Sequence, residues 1–195
     1  MIIAIDTETT HYDPMHARII EVGAVCEDGA TFEGLCNPGF CDEDDLKPWR
    51  QALEINGISK EEVLSAYPHE TIAEDFRIWI SQQKQKLDGE ERLELAGYNS
   101  WSYDSKLLER FPWQITRSKV LWVYDVMKMA MGPMDEAGVL PHHPYYGTPK
   151  WPKLTEAERF FRTTRQGTAH RALSDAKATL DILHVLLSEV KDIHE

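Results

Sequence analysis

The chain has 195 residues, of which 42% are hydrophobic and 28% are charged, as in a folded globular protein with one core. Its 33 acidic residues exceed its 21 basic ones, and the net charge of −12 argues against a protein that coats nucleic acid through bulk positive charge. Because the sequence has no apolar run of membrane-spanning length, no signal-peptide pattern and no CxxC pair among its three cysteines, we expect a cytoplasmic protein that has no membrane partner.

The predicted elements, taken in chain order, begin with three strands and continue as helices, strand, helix, strand, loop and two helices. Apolar runs bounded by turn residues predict strands at about 2–6, 19–25, 31–36, 93–98 and 120–125. Helical spacing and capping patterns predict helices at about 60–66, 70–87, 103–110, 156–163 and 171–191. This order predicts one α/β domain over residues 1–195, with a mixed five-stranded sheet flanked by helices.

One segment interrupts this pattern. Residues 132–152 hold five of the ten prolines, and that spacing predicts a long surface loop, a proline-rich insertion in the domain.

The first strand ends in two carboxylates, in the segment "IIAIDTET" (2–9). Side chains at i and i+2 of a strand point to one face, so Asp6 and Glu8 are expected to lie close together. Two like charges this close repel each other unless one is protonated or a cation lies between them. The plainer interpretation is that the strand ends at Ile5 and both carboxylates point into water.

Three further polar residues stand out by position, and each has a plain alternative. Asp104 opens a predicted helix, where it can simply interact with the helix dipole. Asp175 lies in the first turns of the last helix, where it can be a solvated residue. His170 precedes it by five residues and can be an exposed loop histidine or a cap.

Taken together and in order, these segments resemble the DEDDh, or DnaQ-like, family of 3′–5′ exonucleases, which has a ribonuclease H-like fold. "IAIDTETT" (3–10) resembles the first motif of that family, and "GYNSWSYD" (97–104) is similar to the second. "AHRALSDA" (169–176) is similar to the third motif, with the histidine spacing of that subclass. Any one motif is a weak signal, whereas all of them in the right order are a strong one.

The resemblance implies a mechanism with two divalent metal ions, Mg²⁺ or Mn²⁺, because carboxylate oxygens suit these hard cations. Its implied metal ligands are Asp6, Glu8, Asp104 and Asp175. Asp6 would bridge both ions, Glu8 and Asp175 would complete the first site, and Asp104 would lie at the second. His170 would be the general base that deprotonates the attacking water, since its ordinary pKa of about 6.5 suits that role.

Candidate substrate contacts follow from these motifs and from "INGIS" (55–59), which resembles the substrate-side segment of the family. The residues expected to line the terminal nucleotide are Thr9, Gly57, Ile58, Asn99 and Trp101. Ile58 and Trp101 can instead belong to the core, and Asn99 can cap the helix of Asp104. The side chains of Arg162, Arg165 and Arg171 can steer the phosphate backbone or simply form a solvated surface.

The expected function is hydrolysis of single-stranded DNA from its 3′ end, with release of nucleoside 5′-monophosphates. DNA is favoured over RNA as the partner, and a replication or repair polymerase is a candidate second partner. An exoribonuclease of RNA processing or turnover is the nearest alternative, because no residue here distinguishes the two sugars. A non-catalytic module that binds nucleic acid or a polymerase is the alternative of a different class.

Overall fold

The computed structural model describes residues 1–88, 91–115 and 120–192. Its strands are β1 (Ile2–Thr9), β2 (Ile19–Cys26), β3 (Thr31–Asn37), β4 (Tyr67–Pro68), β5 (Glu94–Gly97) and β6 (Leu121–Asp125). They form one sheet in the order β4-β3-β2-β1-β5-β6. The pairs β1–β2 and β2–β3 are antiparallel and the remaining pairs are parallel, so the predicted mixed sheet is confirmed.

Helices cover both faces of this sheet. They are α1 (Glu43–Leu46), α2 (Arg50–Asn56), α3 (Lys60–Ser65), α4 (His69–Gln85), α5 (Asp104–Leu108), α6 (Val126–Glu136), α7 (Leu154–Phe161) and α8 (Ala172–Asp192). A short 3₁₀ helix, Lys47–Trp49, joins α1 to α2. α4 packs on one face against β3, and α8 packs on the other face against β1 and β2. No described helix combines the length and the apolar character needed to cross a membrane.

The alternation of side chains along β1 separates the face that packs against α4 from the face that carries the acids. Ile3 and Ile5 belong to the buried cluster that includes α4, whereas Ala4 belongs to the cluster that includes α8. Because side chains alternate with a period of two, Asp6 and Glu8 lie on the α8 face with Ala4. The strand runs to Thr9, so the alternative in which it ends at Ile5 is wrong.

The small residue Gly23 lets the N-terminus of α8 lie directly on the sheet. Gly23 is paired with Asp6 in the β1–β2 register. A Cβ atom at Gly23 would lie 2.0 Å from the backbone nitrogen of Leu173, far inside van der Waals contact. The absence of a side chain at this position therefore sets how closely the start of α8 approaches the acids of β1.

Two predictions on the sheet and its helices need correction. The sheet has six strands rather than five, because Tyr67–Pro68 adds a two-residue strand beside β3 that is too short to show a pattern in the sequence. The run of four acids after Cys41 predicts a solvated loop by its charge, but it instead opens α1, where the side chain of Asp42 accepts hydrogen bonds from the backbone N–H groups of Asp44 and Asp45.

The proline-rich segment is also shorter than predicted. α6 continues through Pro133 to Glu136, so the prediction that the loop begins at residue 132 is wrong. A proline within a helix removes one backbone hydrogen bond but does not always end the helix, and Met134, one residue later, is buried in the core. The segment 137–153 that follows contains no helix or strand beyond an isolated bridge between His142 and Pro149.

We predict that Gly23→Ala lowers the free energy of unfolding by about 3 kcal/mol, because the added methyl group collides with helix backbone that cannot rotate away. Urea denaturation followed by circular dichroism measures this loss.

Gly132→Ala is the matched control for that substitution. Gly132 lies within α6, and a Cβ atom there meets nothing within 4 Å. We expect it to stabilise the chain by about 0.5–1 kcal/mol through helix propensity. Equal effects of the two substitutions would show that the approach of α8 to β2 is not tight.

Candidate active site

Four carboxylates from distant parts of the chain converge at the end of β1. Asp6 and Glu8 come from β1, Asp175 from the first turn of α8, and Asp104 is the first residue of α5. Glu8, Asp104 and Asp175 are all largely buried. The hydroxyl of Thr7 donates a hydrogen bond of 2.6 Å to the Asp104 carboxylate, which connects α5 to β1.

Burial raises the pKa of every carboxyl in this cluster, and repulsion within the cluster adds to the rise at Asp6 and Glu8. Burial raises the pKa of Glu8 to about 8, and the neighbouring charges of Asp175 and Glu21 add to the effect. Burial likewise raises the pKa of Asp104 to about 7, although its hydrogen bond from Thr7 opposes the shift. Burial, followed by repulsion from Asp104 and Glu8, raises the pKa of Asp6 well above its usual value. The cluster is therefore under electrostatic strain that a cation would relieve.

The donor set fits a hard divalent cation. Ligand atoms of Glu8, His170 and Asp175 all lie within 4.8 Å of one another. Carboxylate oxygens dominate this set and the neighbouring acids Asp6 and Asp104, and oxygen ligands are those that Mg²⁺ and Mn²⁺ prefer. The sequence thus identified a group of residues that the fold brings together, although they span 170 positions.

A further buried acid outside the cluster of four carboxylates, Glu21, holds the start of α8 against the sheet. Glu21 is fully buried on β2 and lies opposite Glu8 in the strand register. Its carboxylate accepts hydrogen bonds from Arg171 Nε at 3.0 Å and from the backbone N–H of Ala172 at 2.8 Å. This contact fixes the residues that flank the bend between His170 and α8.

Sequence analysis missed Glu21 as a functional residue, although a signal was present. It is the only charged residue in the strand "IIEVGAVC", and a charge in a buried strand needs a partner. What the sequence does not show is that the partner lies 150 positions away.

The positive charge of Arg165 compensates part of the negative charge of the cluster, at Asp175. Its guanidinium donates to the carboxylate of Asp175, and it makes further hydrogen bonds of 3.0 and 2.7 Å to the two carboxylate oxygens of Glu158 on α7. Burial raises the pKa of Asp175, and the charge of Arg165 opposes that rise. Arg165 and Arg171 are therefore paired with buried carboxylates instead of forming a plain solvated surface, whereas Arg162 is exposed.

His170 lies in an exposed, irregular connection between α7 and α8. Its side chain is exposed, and its φ of 61° is in the left-handed region. Gly167, three residues earlier, has a φ of 107° that favours glycine. A bend in the chain, and not a helix, therefore carries the imidazole to the carboxylates.

The predicted substrate residues fall into two groups by exposure. Thr9 and Ile58 are buried: the Thr9 hydroxyl donates to the His11 carbonyl at 3.1 Å, and Ile58 is in a core cluster with Ile20 and Leu53. The structure does not bring the Ile58 side chain to an open surface, and its predicted contact with substrate stays a prediction.

Gly57, Asn99 and Trp101 are accessible to different extents. Gly57 is exposed and ends α2 with a φ of 65°. Asn99 has a φ of 63°, and its side-chain oxygen is buried without a hydrogen-bond partner among the described residues. Trp101 is 47% exposed, so the alternative that it belongs to the core is wrong.

Tyr103 is a further residue that the sequence did not single out. Its hydroxyl donates to the His11 carbonyl, which also accepts from the Thr9 hydroxyl. It thereby joins the turn before Asp104 to the end of β1.

Comparisons with known proteins agree with this geometry. The sequence model of the RNase_T family, described as "Exonuclease", matches residues 3–183. No curated protein matches the sequence. A solved structure of exonuclease I is similar with a TM-score of 0.68 and 18% identity, and the match covers 96% of this chain and 40% of that one.

Two further solved structures share the same architecture. E. coli exonuclease I in complex with a 5cy-dT13 oligonucleotide has a TM-score of 0.65 and 18% identity, with coverage of 96% of this chain and 40% of that one. Cell-death related nuclease 4 has a TM-score of 0.62 and 14% identity, with coverage of 96% and 64%. The chain thus spans 40% of the length of the exonuclease I chains, and the likeness confirms the ribonuclease H-like fold.

We predict that the metal-free chain loses stability as the pH rises from about 4.5 to about 8. The pKa of Glu8 is about 8 in the folded chain against an ordinary value of 4.5, so between these values the folded chain holds a proton that the unfolded chain has released. Stability falls with pH wherever the folded state binds more protons. Thermal denaturation in EDTA across this range measures the effect.

Magnesium should reverse that loss at high pH and have little effect at low pH, because metal ligands must be deprotonated. An Mg²⁺ concentration of about 100 times its dissociation constant contributes about 2.7 kcal/mol, or a rise in melting temperature of roughly 5–10 °C for a chain of this size.

Asp6→Asn should raise the melting temperature in EDTA at about pH 8 and abolish the response to Mg²⁺, because it removes one repelling charge and one metal ligand. A variant that still responds fully to Mg²⁺ would place the metal elsewhere.

Glu21→Gln should destabilise the chain by about 3 kcal/mol, because a buried amide cannot replace a carboxylate that accepts from both Arg171 and Ala172. We also expect a lower pKa for Glu8, since Glu21 is one of the charges that raise it. Urea denaturation and carboxyl titration by NMR measure the two effects. An unchanged Glu8 pKa would contradict the electrostatic coupling across β1 and β2.

Proposed function

The chain belongs to the RNase_T exonuclease family, and from this membership we propose that it hydrolyses phosphodiester bonds stepwise from the 3′ end of single-stranded DNA. The observation that carries the proposal is the convergence of four carboxylates with raised pKa values beside an exposed imidazole. The products would be nucleoside 5′-monophosphates.

The acids would hold two divalent ions, Mg²⁺ or Mn²⁺. Their candidate ligands are Asp6, Glu8, Asp104 and Asp175. Two ions in such a site stabilise the negative charge on the attacking and leaving oxygens during in-line displacement. The remaining contribution of the protein is to keep the carboxylates aligned: Thr7 does so for Asp104, and Arg165 does so for Asp175.

His170 is the candidate general base. Its imidazole lies close to Glu8 and Asp175 and is exposed, so it can exchange a proton with solvent after each turnover. A general base must come within hydrogen-bond reach of the water it deprotonates, and the left-handed bend at His170 directs the ring toward the acids.

Single-stranded DNA is the substrate that the observations favour. Solved structures with the same fold include E. coli exonuclease I in complex with 5cy-dT13 and with 5cy-dA13 oligonucleotides. The exposed Trp101, three residues before Asp104, offers an aromatic surface for unpaired bases.

We predict that His170→Ala lowers the turnover of a 3′-end reaction by roughly 10²–10⁴-fold, the usual contribution of a general base. Because the side chain is exposed, the melting temperature should stay unchanged. The assay uses 5′-labelled single-stranded DNA, duplex DNA and RNA with Mg²⁺ or Mn²⁺, resolved to single nucleotides. A regular ladder that shortens from the 3′ end is the expected product pattern.

His184→Ala is the matched control for this experiment, since His184 is an exposed histidine on α8 and should not affect turnover. Turnover of His170→Ala within a few-fold of the unmodified chain would remove His170 from the mechanism. Activity that persists in excess EDTA would rule out the metal ions, and faster cleavage of RNA than of DNA would favour the exoribonuclease.

A further inference from the structure

A lysine lies between two exposed tryptophans beside the turn that carries Asp104. Lys128 Nζ is 4.7 Å from the ring centroid of Trp101 and 6.0 Å from that of Trp151. Trp101 is 47% exposed and Trp151 is 54% exposed. Trp101 precedes α5, Lys128 is in the first turn of α6, and Trp151 ends the proline-rich segment. We refer to these three residues as the Trp–Lys–Trp surface.

One buried carboxylate connects this surface to the candidate active site. Asp125 is 2% exposed and accepts hydrogen bonds from the backbone N–H groups of Asn99 at 3.2 Å and Trp101 at 3.3 Å. It also accepts from the backbone of Lys128 at 3.4 Å and thereby caps α6. The turn that leads into Asp104 and the helix that carries Lys128 are thus held by the same group.

The third member of the surface is held by a separate contact. The hydroxyl of Tyr98, which directly follows β5, donates a hydrogen bond of 3.0 Å to the carbonyl of Pro152. Pro152 is buried, so the end of the proline-rich segment is fixed against the same turn while Trp151 stays half exposed. Contacts on both sides of the turn that leads into Asp104 therefore hold the surface in place.

The chemistry of this surface matches a flexible nucleic acid strand. Exposed aromatic rings stack on unpaired bases without regard to sequence, and an ammonium group between them attracts a backbone phosphate. Lys128 Nζ lies 3.9 Å from the buried Asp125 carboxylate. Lys150 and Lys153, which flank Trp151 in the chain, are exposed and add positive charge beside the surface in a chain with a net charge of −12.

We propose that the Trp–Lys–Trp surface binds nucleotides of single-stranded nucleic acid that precede the terminal one. This inference rests on the proposed function and extends it, because it assigns a binding role to Lys128 and Trp151, which lie outside the family motifs. The surface holds the strand while the carboxylates and His170 act on its 3′ end. Substrates too short to reach the surface gain nothing from it.

The test compares oligonucleotides with a minimal substrate. Trp151→Ala should weaken binding of a fluorescein-labelled dT oligonucleotide of about 12 nucleotides by roughly 10-fold, within the range for loss of one stacked base. Fluorescence anisotropy in EDTA measures this binding without cleavage. Hydrolysis of the p-nitrophenyl ester of thymidine 5′-monophosphate should stay unchanged, because this ester carries one nucleoside only.

Lys128→Ala provides a readout that a structural role would not change. Loss of one phosphate contact should reduce the slope of log affinity against log salt by about 0.7 for a single strand. Tyr146→Ala is the matched control, since Tyr146 is a 78% exposed aromatic residue of the same segment outside the surface. Trp151→Phe keeps an aromatic ring and should retain most of the binding.

The outcomes separate this inference from the proposed function. Equal oligonucleotide binding by the unmodified chain and by Trp151→Ala would overturn the inference, even if both cleave DNA. A similar loss of ester hydrolysis and of oligonucleotide binding in Trp151→Ala would also overturn it, because the residue would then be structural. If the unmodified chain binds the oligonucleotide through Trp151 but cleaves nothing, the proposed function fails and the surface stands.

Discussion

The contact between the N-terminus of α8 and the centre of the sheet is the constraint on which the candidate active site depends. Two residues of β2 make it possible, in different ways. Gly23 leaves room for helix backbone directly above the strand, and Glu21 accepts from both Arg171 and the backbone of Ala172. The space above Gly23 alone would allow α8 to shift along the sheet. The hydrogen bonds of Glu21 alone would not bring the helix close to the strand. Together they place Asp175 opposite Glu8, so that residues far apart in sequence share one site.

This arrangement exchanges stability for function. The contact that brings Asp175 to β1 also brings like charges together where they are largely buried from water. The pKa values of the carboxyls in the cluster rise in consequence. Arg165 and Arg171 limit the cost, because each is paired with a buried carboxylate. Both arginines flank the irregular segment that carries His170. The ion pairs that compensate for the acids therefore also fix the two ends of that segment, while the imidazole itself stays exposed.

Sequence analysis succeeded where local patterns were sufficient. The alternation in "IIAIDTET" placed Asp6 and Glu8 on one face, and helical spacing identified α8. The order of the motifs then predicted which acids would meet. It failed where contacts between residues distant in the sequence determine the structure. The partner of Glu21 lies 150 positions away, and α6 continues through Pro133 because Met134 is buried beyond it. The strand around Glu21 shows that a buried charge needs a partner but not where the partner lies, and the residues around Pro133 do not show that Met134 is buried.

Asp125 lies outside the acidic cluster, yet it holds both the turn before Asp104 and the start of α6. Its carboxylate is needed by the turn at Asn99 and Trp101 and by the first turn of α6, so neither can move without the other. The turn ends at Asp104, whose carboxylate accepts a hydrogen bond from Thr7 of β1, the strand that carries Asp6 and Glu8. The position of the Trp101 ring is consequently tied to the position of the Asp104 carboxylate three residues later. A strand held at this surface would therefore be aligned with the acids by the covalent geometry of one short turn.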